Sequence, residues 1–263
     1  MLVKNKIIGC LLAGILMISS AFIMQEEKPT LFLIGDSTVK SGRGKGEGNM
    51  WGWGDFIGQY FDQRKIKIEN RALGGTSSRT FQTRALWDSV LVKIKPGDFV
   101  IMQFGHNDGG QLDDTARARG TIKGIGMESK HIYNPILKKK ETVYTYGWYL
   151  RKFIADAKAK GATAYVCSPI PRNNFKDGKV VRSDDSYGLW AKQVAQSESA
   201  LFIDLNKITA DKYQKSGPEV VATYFPSDHT HTNAEGAKVN AASVVTGLRT
   251  LKKTPLKKYL LKP

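Results

Sequence analysis

Two of the chain's four histidines, His229 and His231, stand two residues apart in FPSDHTHTNA, residues 225 to 234, beside Asp228. An imidazole three residues after a carboxylate can meet it within one loop. The aspartate then fixes the ring tautomer and leaves the other ring nitrogen to take a proton from a hydroxyl nucleophile. The same residue types suit a metal, for which His106 and Asp108 in MQFGHNDGG could add ligands. A catalytic zinc, however, would leave three further segments unexplained. LIGDSTVK places Ser37 two residues after Gly35, where a sharp turn off a strand can expose a hydroxyl, although the G-x-S-x-G elbow spacing is absent. NRALGGTSSRTF carries Gly74 and Gly75, whose backbone N–H groups can approach a substrate oxygen closely. Phosphate binding is the rival reading of such a loop, but its spacing matches neither the P-loop nor the dinucleotide fingerprint. Asn107 offers a side-chain amide donor for a developing oxyanion.

These residues need elements to carry them. TLFLIG, IKIEN, DFVIMQFG, ATAYVCSP and LFIDL read as short apolar strands, and the segments between them are long enough for crossover helices. The helical patterns fall at about 53 to 62, 82 to 94, 143 to 160, 187 to 199 and 234 to 251. That alternation predicts an α/β fold, a three-layer α/β/α sandwich around a mainly five-stranded parallel sheet. Two longer connections, 105 to 141 and 168 to 185, both follow strands, and ligands bind beyond the carboxyl ends of the strands in such sheets, so these loops are expected to wall the site. No internal repeat or composition break divides the chain, which predicts one domain over residues 28 to 252. Residues 253 to 263 read as a basic, solvated C-terminal tail.

Composition sets the outer bounds. With 41% apolar and 24% charged residues the chain resembles a soluble globular protein. Lys4 and Lys6 precede an apolar run from Ile7 to Met24, and Ser19-Ser20-Ala21 offers a cleavage point, so residues 1 to 21 read as a signal peptide. Cys10 precedes most of the apolar run, which argues against a lipobox, and the two glycines and two serines of the run favour cleavage over a retained anchor. The expectation is an exported protein, periplasmic or secreted, with no stable membrane association once the signal is removed. Cleavage would leave Cys167 alone, without an internal disulfide, as an apolar core residue of the strand ATAYVCSP. The formal charge of +16 falls to +14 once Lys4 and Lys6 are gone. Such a field suits an acidic polymer, while no zinc-finger spacing or aromatic RNP-like strand supports nucleic acid.

GDST, GG, GHND and DHTH, in this order, resemble the SGNH/GDSL hydrolase superfamily. The resemblance implies its flavodoxin-like fold, Ser37 as nucleophile, His231 as base and Asp228 as the third triad member. It also implies an oxyanion hole from Ser37, Gly75 and Asn107, and no metal or other cofactor. The longer strings FLIGDSTV, GTSSRTF, QFGHNDGG and DHTHTNAEGA, spanning residues 30 to 245, are similar to rhamnogalacturonan acetylesterases. That likeness implies a monomeric serine esterase that removes acetyl groups from an acetylated acidic polysaccharide, the galacturonate–rhamnose backbone of pectin. An acetylesterase acting on xylan or another glycan, and a glycan-binding protein without turnover, are the alternatives. On this reading His229 lines the sugar site or makes a structural hydrogen bond. Trp51 and Trp53 in MWGWGDF stack on sugar or pack in the core. Arg172 in SPIPRNN, and less so Arg79, pair with a galacturonate carboxylate or are surface charges.

Overall fold

The computed structural model describes residues 27–262; the segment read as a signal peptide lies outside the described residues. In chain order the elements are β1 (Thr30–Gly35), β2 (Lys67–Asn70), α1 (Ser78–Thr83), α2 (Leu86–Leu91), β3 (Phe99–Gln103), β4 (Ser129–Asn134) and β5 (Lys139–Tyr144). There follow α3 (Tyr146–Ala159), β6 (Thr163–Cys167), β7 (Phe175–Lys176), β8 (Lys179–Val180), α4 (Tyr187–Ser197), β9 (Leu201–Ile203), α5 (Leu205–Ser216), α6 (Pro218–Ala222) and α7 (Ala234–Thr250). Five strands form a parallel sheet in the order β2-β1-β3-β6-β9, as the sequence predicts. The order turns back at β1, whose neighbours are β2 on one side and β3 on the other. The loops leaving β1 and β3 diverge there and open a crevice.

Both faces of the sheet are covered, which is why β1 and β3 are apolar on both faces from Leu31 to Ile34 and from Phe99 to Met102. Leu31, Leu33 and Ile101 face a core shared with Trp53, Ile57 and the Ala241, Val244 and Leu248 face of α7. Phe32, Ile34, Val100 and Met102 face the opposite core, built on Phe81, Trp87, Phe153 and Val194. Cys167 is fully buried and burial pushes its thiol pKa up, as suits a small core residue.

Several boundaries differ from expectation. The helix expected over 53 to 62 is two 3₁₀ turns, Trp53–Asp55 and Ile57–Tyr60. Glycines at 52, 54 and 58 lower helix propensity, and the Gly54 N–H instead donates to the Val39 carbonyl at 2.9 Å. The helix expected over 82 to 94 starts earlier, where Ser77 caps the Thr80 N–H, and breaks at Ala85, which takes a left-handed conformation (φ 56°). α5, inside LNKITADKYQKS, is absent from the sequence reading because its exposed face is so polar that its apolar stripe is weak. The long connection after β3 contains the β4–β5 hairpin.

The C-terminal segment also departs from expectation. Its lysines at 252, 253 and 258 are exposed, but the segment itself is packed and not a solvated tail. Leu256 is fully buried in the α7-side core, Tyr259 and Leu261 exchange backbone hydrogen bonds with Asp62 and Tyr60 (2.8 Å each), and Thr254 meets the Tyr165 hydroxyl. Leu256→Ala is therefore expected to cost about 2–5 kcal/mol in urea unfolding, as for other buried leucines. A loss below about 1 kcal/mol would show the segment to be peripheral.

Candidate active site

The reaction centre is assembled at the carboxyl end of the sheet, and its first member is set by a turn. Gly35 closes β1 in a backbone region (φ 159°) where a Cβ would lie 2.5 Å from the Gln103 carbonyl, so a side chain does not fit. The chain then winds back on itself, with the N–H groups of Val39 and Lys40 both donating to the Asp36 carbonyl at 3.1 Å. This turn buries Asp36 and leaves Ser37 partly exposed. The turn is braced from below: the Thr38 N–H and hydroxyl both donate to Asp36 Oδ1 (2.9 and 2.7 Å), Gln103 Nε2 donates to Thr38, and the Trp53 indole N–H donates to Gln103 Oε1 at 2.9 Å.

Burial alone would resist a charge on Asp36, but His106 facing it and the two Thr38 donors outweigh this and hold the carboxyl below its ordinary range. His106 Nδ1 lies 3.4 Å from Asp36 Oδ2 without hydrogen-bond alignment, and its Nε2 contacts the Ile170 carbonyl at 3.0 Å. Both ring nitrogens thus face protein groups. Among the described residues no three His, Cys, Asp or Glu side chains converge as a metal site.

The candidate base, His231, stands on the loop between α6 and α7. His231 Nε2 is 2.9 Å from Ser37 Oγ, and His231 Nδ1 is 2.7 Å from Asp228 Oδ2. The other Asp228 oxygen accepts the N–H groups of Thr230 and His231, both at 2.7 Å, so one carboxylate shapes the loop and orients the ring. Burial opposes the Asp228 charge, but the His231 side chain and these backbone donors prevail and bring its pKa down to about 2. The loop is tied to the nucleophile side through Trp51: its N–H donates to the Thr232 carbonyl at 2.7 Å, and the Thr232 hydroxyl donates to the Trp51 carbonyl at 3.1 Å.

The other two candidate oxyanion donors, Gly75 and Asn107, stand on the loops after β2 and β3. The loop after β2 is fixed to the end of β1, since the Leu73 N–H and the Thr76 hydroxyl both reach the Gly35 carbonyl. Gly74 packs directly on Ser37, and Gly75 adopts a left-handed conformation (φ 78°). Asn107 Nδ2 donates one hydrogen to the Thr76 carbonyl at 2.8 Å, which orients the amide and leaves its second hydrogen. The N–H groups of Ser37 and Gly75 donate to no protein acceptor among the described residues. Two backbone donors and one amide donor beside an imidazole-bound hydroxyl suit acyl transfer through a tetrahedral oxyanion.

The remaining candidates separate. Trp53 is fully buried and hydrogen-bonded to Gln103, so it braces the nucleophile turn and does not stack on sugar. Arg79 is likewise no substrate contact: it is fully buried, with Nε and Nη2 on Glu141 (2.7 Å each) and Nη1 on the carbonyls of Leu112 and Gly120. Trp51 sits half-buried at the rim, its ring packed on Phe56. His229 is exposed and contributes its carbonyl to the Asn173 N–H at 2.8 Å. Arg172 is exposed and bonded to the His106 carbonyl, and with His106, Gly109 and Tyr187 it lines a cavity of about 290 Å³.

Asp108, next to Asn107, is fully buried. Its Oδ1 accepts the N–H and hydroxyl of Ser78, while Oδ2 has no partner. Burial is the dominant influence and raises its pKa to about 7, against Ser78 donors that lower it. The folded state therefore binds a proton more tightly than the unfolded chain, so this group costs nothing below about pH 4, and its cost grows as pH rises to about 7 and levels off above it. Asp108→Asn is expected to gain stability relative to the parent as pH rises from 4 to 8, by up to about 4 kcal/mol. Urea unfolding of both proteins across that range checks it, and a pH-independent difference would refute it.

A model of the GDSL-like lipase/acylhydrolase family matches residues 33–239. The rhamnogalacturonan acetylesterase of Emericella nidulans is 32% identical over 81% of this chain and 81% of its own. A probable rhamnogalacturonan acetylesterase of Bacillus subtilis, YesY, is 31% identical over 84% of this chain and 93% of its own. Among solved structures, protein YxiM of Bacillus subtilis matches with a TM-score of 0.67 at 26% identity, over 84% of this chain and 56% of that one, so the chain spans little more than half of it. The acetylxylan esterase Axe2 of Geobacillus stearothermophilus, at 18% identity and a TM-score of 0.58, covering 86% of this chain and 97% of its own, shares the fold.

Proposed function

The chain belongs to the GDSL-like lipase/acylhydrolase family, and on that footing we propose that it is a serine esterase removing acetyl groups from the galacturonate–rhamnose backbone of pectin. The observation that carries the chemistry is the continuous hydrogen-bonded series Ser37–His231–Asp228, with free N–H donors beside the hydroxyl. Support for the substrate comes from the two relatives above 30% identity, both named for rhamnogalacturonan. Xylan is the second reading, favoured by an acetylxylan esterase relative at 24% identity.

In the proposed reaction Ser37 Oγ attacks the acetyl carbonyl as His231 Nε2 takes its proton. The N–H groups of Ser37 and Gly75 and the Asn107 amide hold the oxyanion. His231 then returns the proton to the departing sugar oxygen, and the acetyl group remains on Ser37. Water, deprotonated by His231, attacks that ester, and as the bond from the acetyl carbon to Ser37 Oγ breaks His231 returns the proton to Oγ and acetate leaves. Asp228 holds the tautomer that presents Nε2 as acceptor. We also propose, on sequence alone, that the protein is exported by its N-terminal segment.

Acetate release from acetylated rhamnogalacturonan, beside acetylated xylan and a Ser37→Ala control, tests the proposal. Release from the pectic polymer that vanishes in the control supports it, and release confined to xylan replaces the substrate. Asp228→Asn is expected to lower kcat by roughly 10⁴-fold, and Asn107→Ala by about 10²- to 10³-fold. Near-parental turnover in either variant would remove that residue from its role.

A further inference from the structure

The partly or fully buried guanidinium groups near the site differ in how they are matched. Arg79 is satisfied by Glu141 and two carbonyls, Arg182 pairs with Asp211, and Arg151 is held by the carbonyls of Ile125 and Gly126. Arg119 is different. It is partly buried, yet its one protein hydrogen bond runs from Nη1 to the Gly75 carbonyl at 3.1 Å, and it forms no ion pair among the described residues. Asp114, the acid near it in sequence, spends its two oxygens on the N–H groups of Ala116, Arg117 and Ala118. Burial, then the charge of Arg117, pulls the Arg119 pKa down against the opposing charges of Asp114, Asp36 and Asp108, none of which it contacts as an ion pair.

Its position is held on both sides. Ala118 is buried, and the Gly120 carbonyl accepts from the buried Arg79 at 2.9 Å. The loop is pinched by the Gly120 N–H on the Gln111 carbonyl and the Thr121 N–H on the Asp108 carbonyl. The Arg119 head thus rests on the residue that offers the backbone oxyanion donor, with Nε and Nη2 unengaged. Binding geometry prepared in advance loses little entropy on taking a ligand.

We propose that Arg119 binds a carboxylate of the substrate, selecting esters on or beside a uronic acid: Nε and Nη2 grip the carboxylate side-on while Nη1 stays on Gly75. Arg172, exposed on the His106 carbonyl, is the second cation available to the same chain of sugars. The inference deepens the esterase reading and rests on it for the place of the ester.

The test uses hydrolysis of p-nitrophenyl acetate as the reporter. A deacetylated galacturonate–rhamnose oligosaccharide and its carboxyl-reduced counterpart serve as competitive inhibitors, each variant being referred to its own uninhibited rate. The parent is expected to bind the charged oligosaccharide about tenfold more tightly than the reduced one. Arg119→Gln should abolish that preference, and Arg119→Lys should keep only part of it, since a point charge cannot grip bidentately. Loss of the Gly75 contact alone would weaken both inhibitors equally. No preference in the parent, or a preference surviving within twofold in Arg119→Gln, overturns the proposal. Arg119→Lys provides the same reading if the glutamine variant does not fold: full retention of the preference counts against bidentate binding. If the parent releases no acetate from the pectic polymer but keeps the charged preference, the substrate reading fails and the carboxylate site stands.

Discussion

Buried charge is what the catalytic end of this sheet has to accommodate. Asp36 and Asp108, beside Ser37 and Asn107, and Arg79, in helix α1 just after the Gly75 loop, are all fully buried. An unmatched charge in such a place is strongly destabilising, so each must be met by donors or an opposite charge from another loop. Those matches join the loops. Asp36 draws in Thr38 and faces His106 on the β3 loop, Asp108 draws in Ser78 at the start of α1, and Arg79 binds Glu141 on the β4–β5 hairpin. Four segments distant in sequence, the β1 loop, the start of α1, the β3 loop and the β4–β5 hairpin, are thereby tied together by buried polar contacts.

The consequence is stiffness where displacement would be costly. Oxyanion donors act only if they already point where charge will develop. Here the Gly74–Gly75 peptide is held by Thr76 on the end of β1, and Asn107 is oriented by the Thr76 carbonyl. Thr76 is therefore common to two of the three candidate donors. The sheet contributes the coarse placement, since β1 and β3 meet at the strand-order reversal, and the polar scaffold contributes the fine one.

This division explains what could be read from sequence. Strands and most crossover helices announce themselves by apolar periodicity, whereas Ser37, Gly75, Asn107, Asp228 and His231 stand in short patterns that are common turns taken singly and gain meaning only from their occurrence together in this order. The supporting pairs have no such signal. Arg79 reads as a substrate contact or a surface charge because its partner, Glu141, is 62 positions away, and nothing in the local sequence singles out Arg119, which ends on Gly75. Trp53 illustrates the reverse case: an aromatic near the nucleophile suggests sugar stacking, yet its indole N–H is needed inside, on Gln103. The lysine-rich C-terminus conceals Leu256 in the same way, because the charges outnumber the one side chain that packs.

The acid–base loop follows a different rule from the buried scaffold. The Asp228 side chain is 41% exposed, so water screens its charge, and its contribution to the pair with His231 is more geometric than Coulombic. Its two oxygens divide that work. One closes the turn through the Thr230 and His231 N–H groups, and the other fixes Nδ1. The turn is in turn fastened to the nucleophile side by the Trp51–Thr232 backbone bridge. A loop so built needs no burial to keep Nε2 on Ser37, so the His231 side of the crevice is partly exposed while the opposite wall, with Gly75 and Asn107, is held by Thr76.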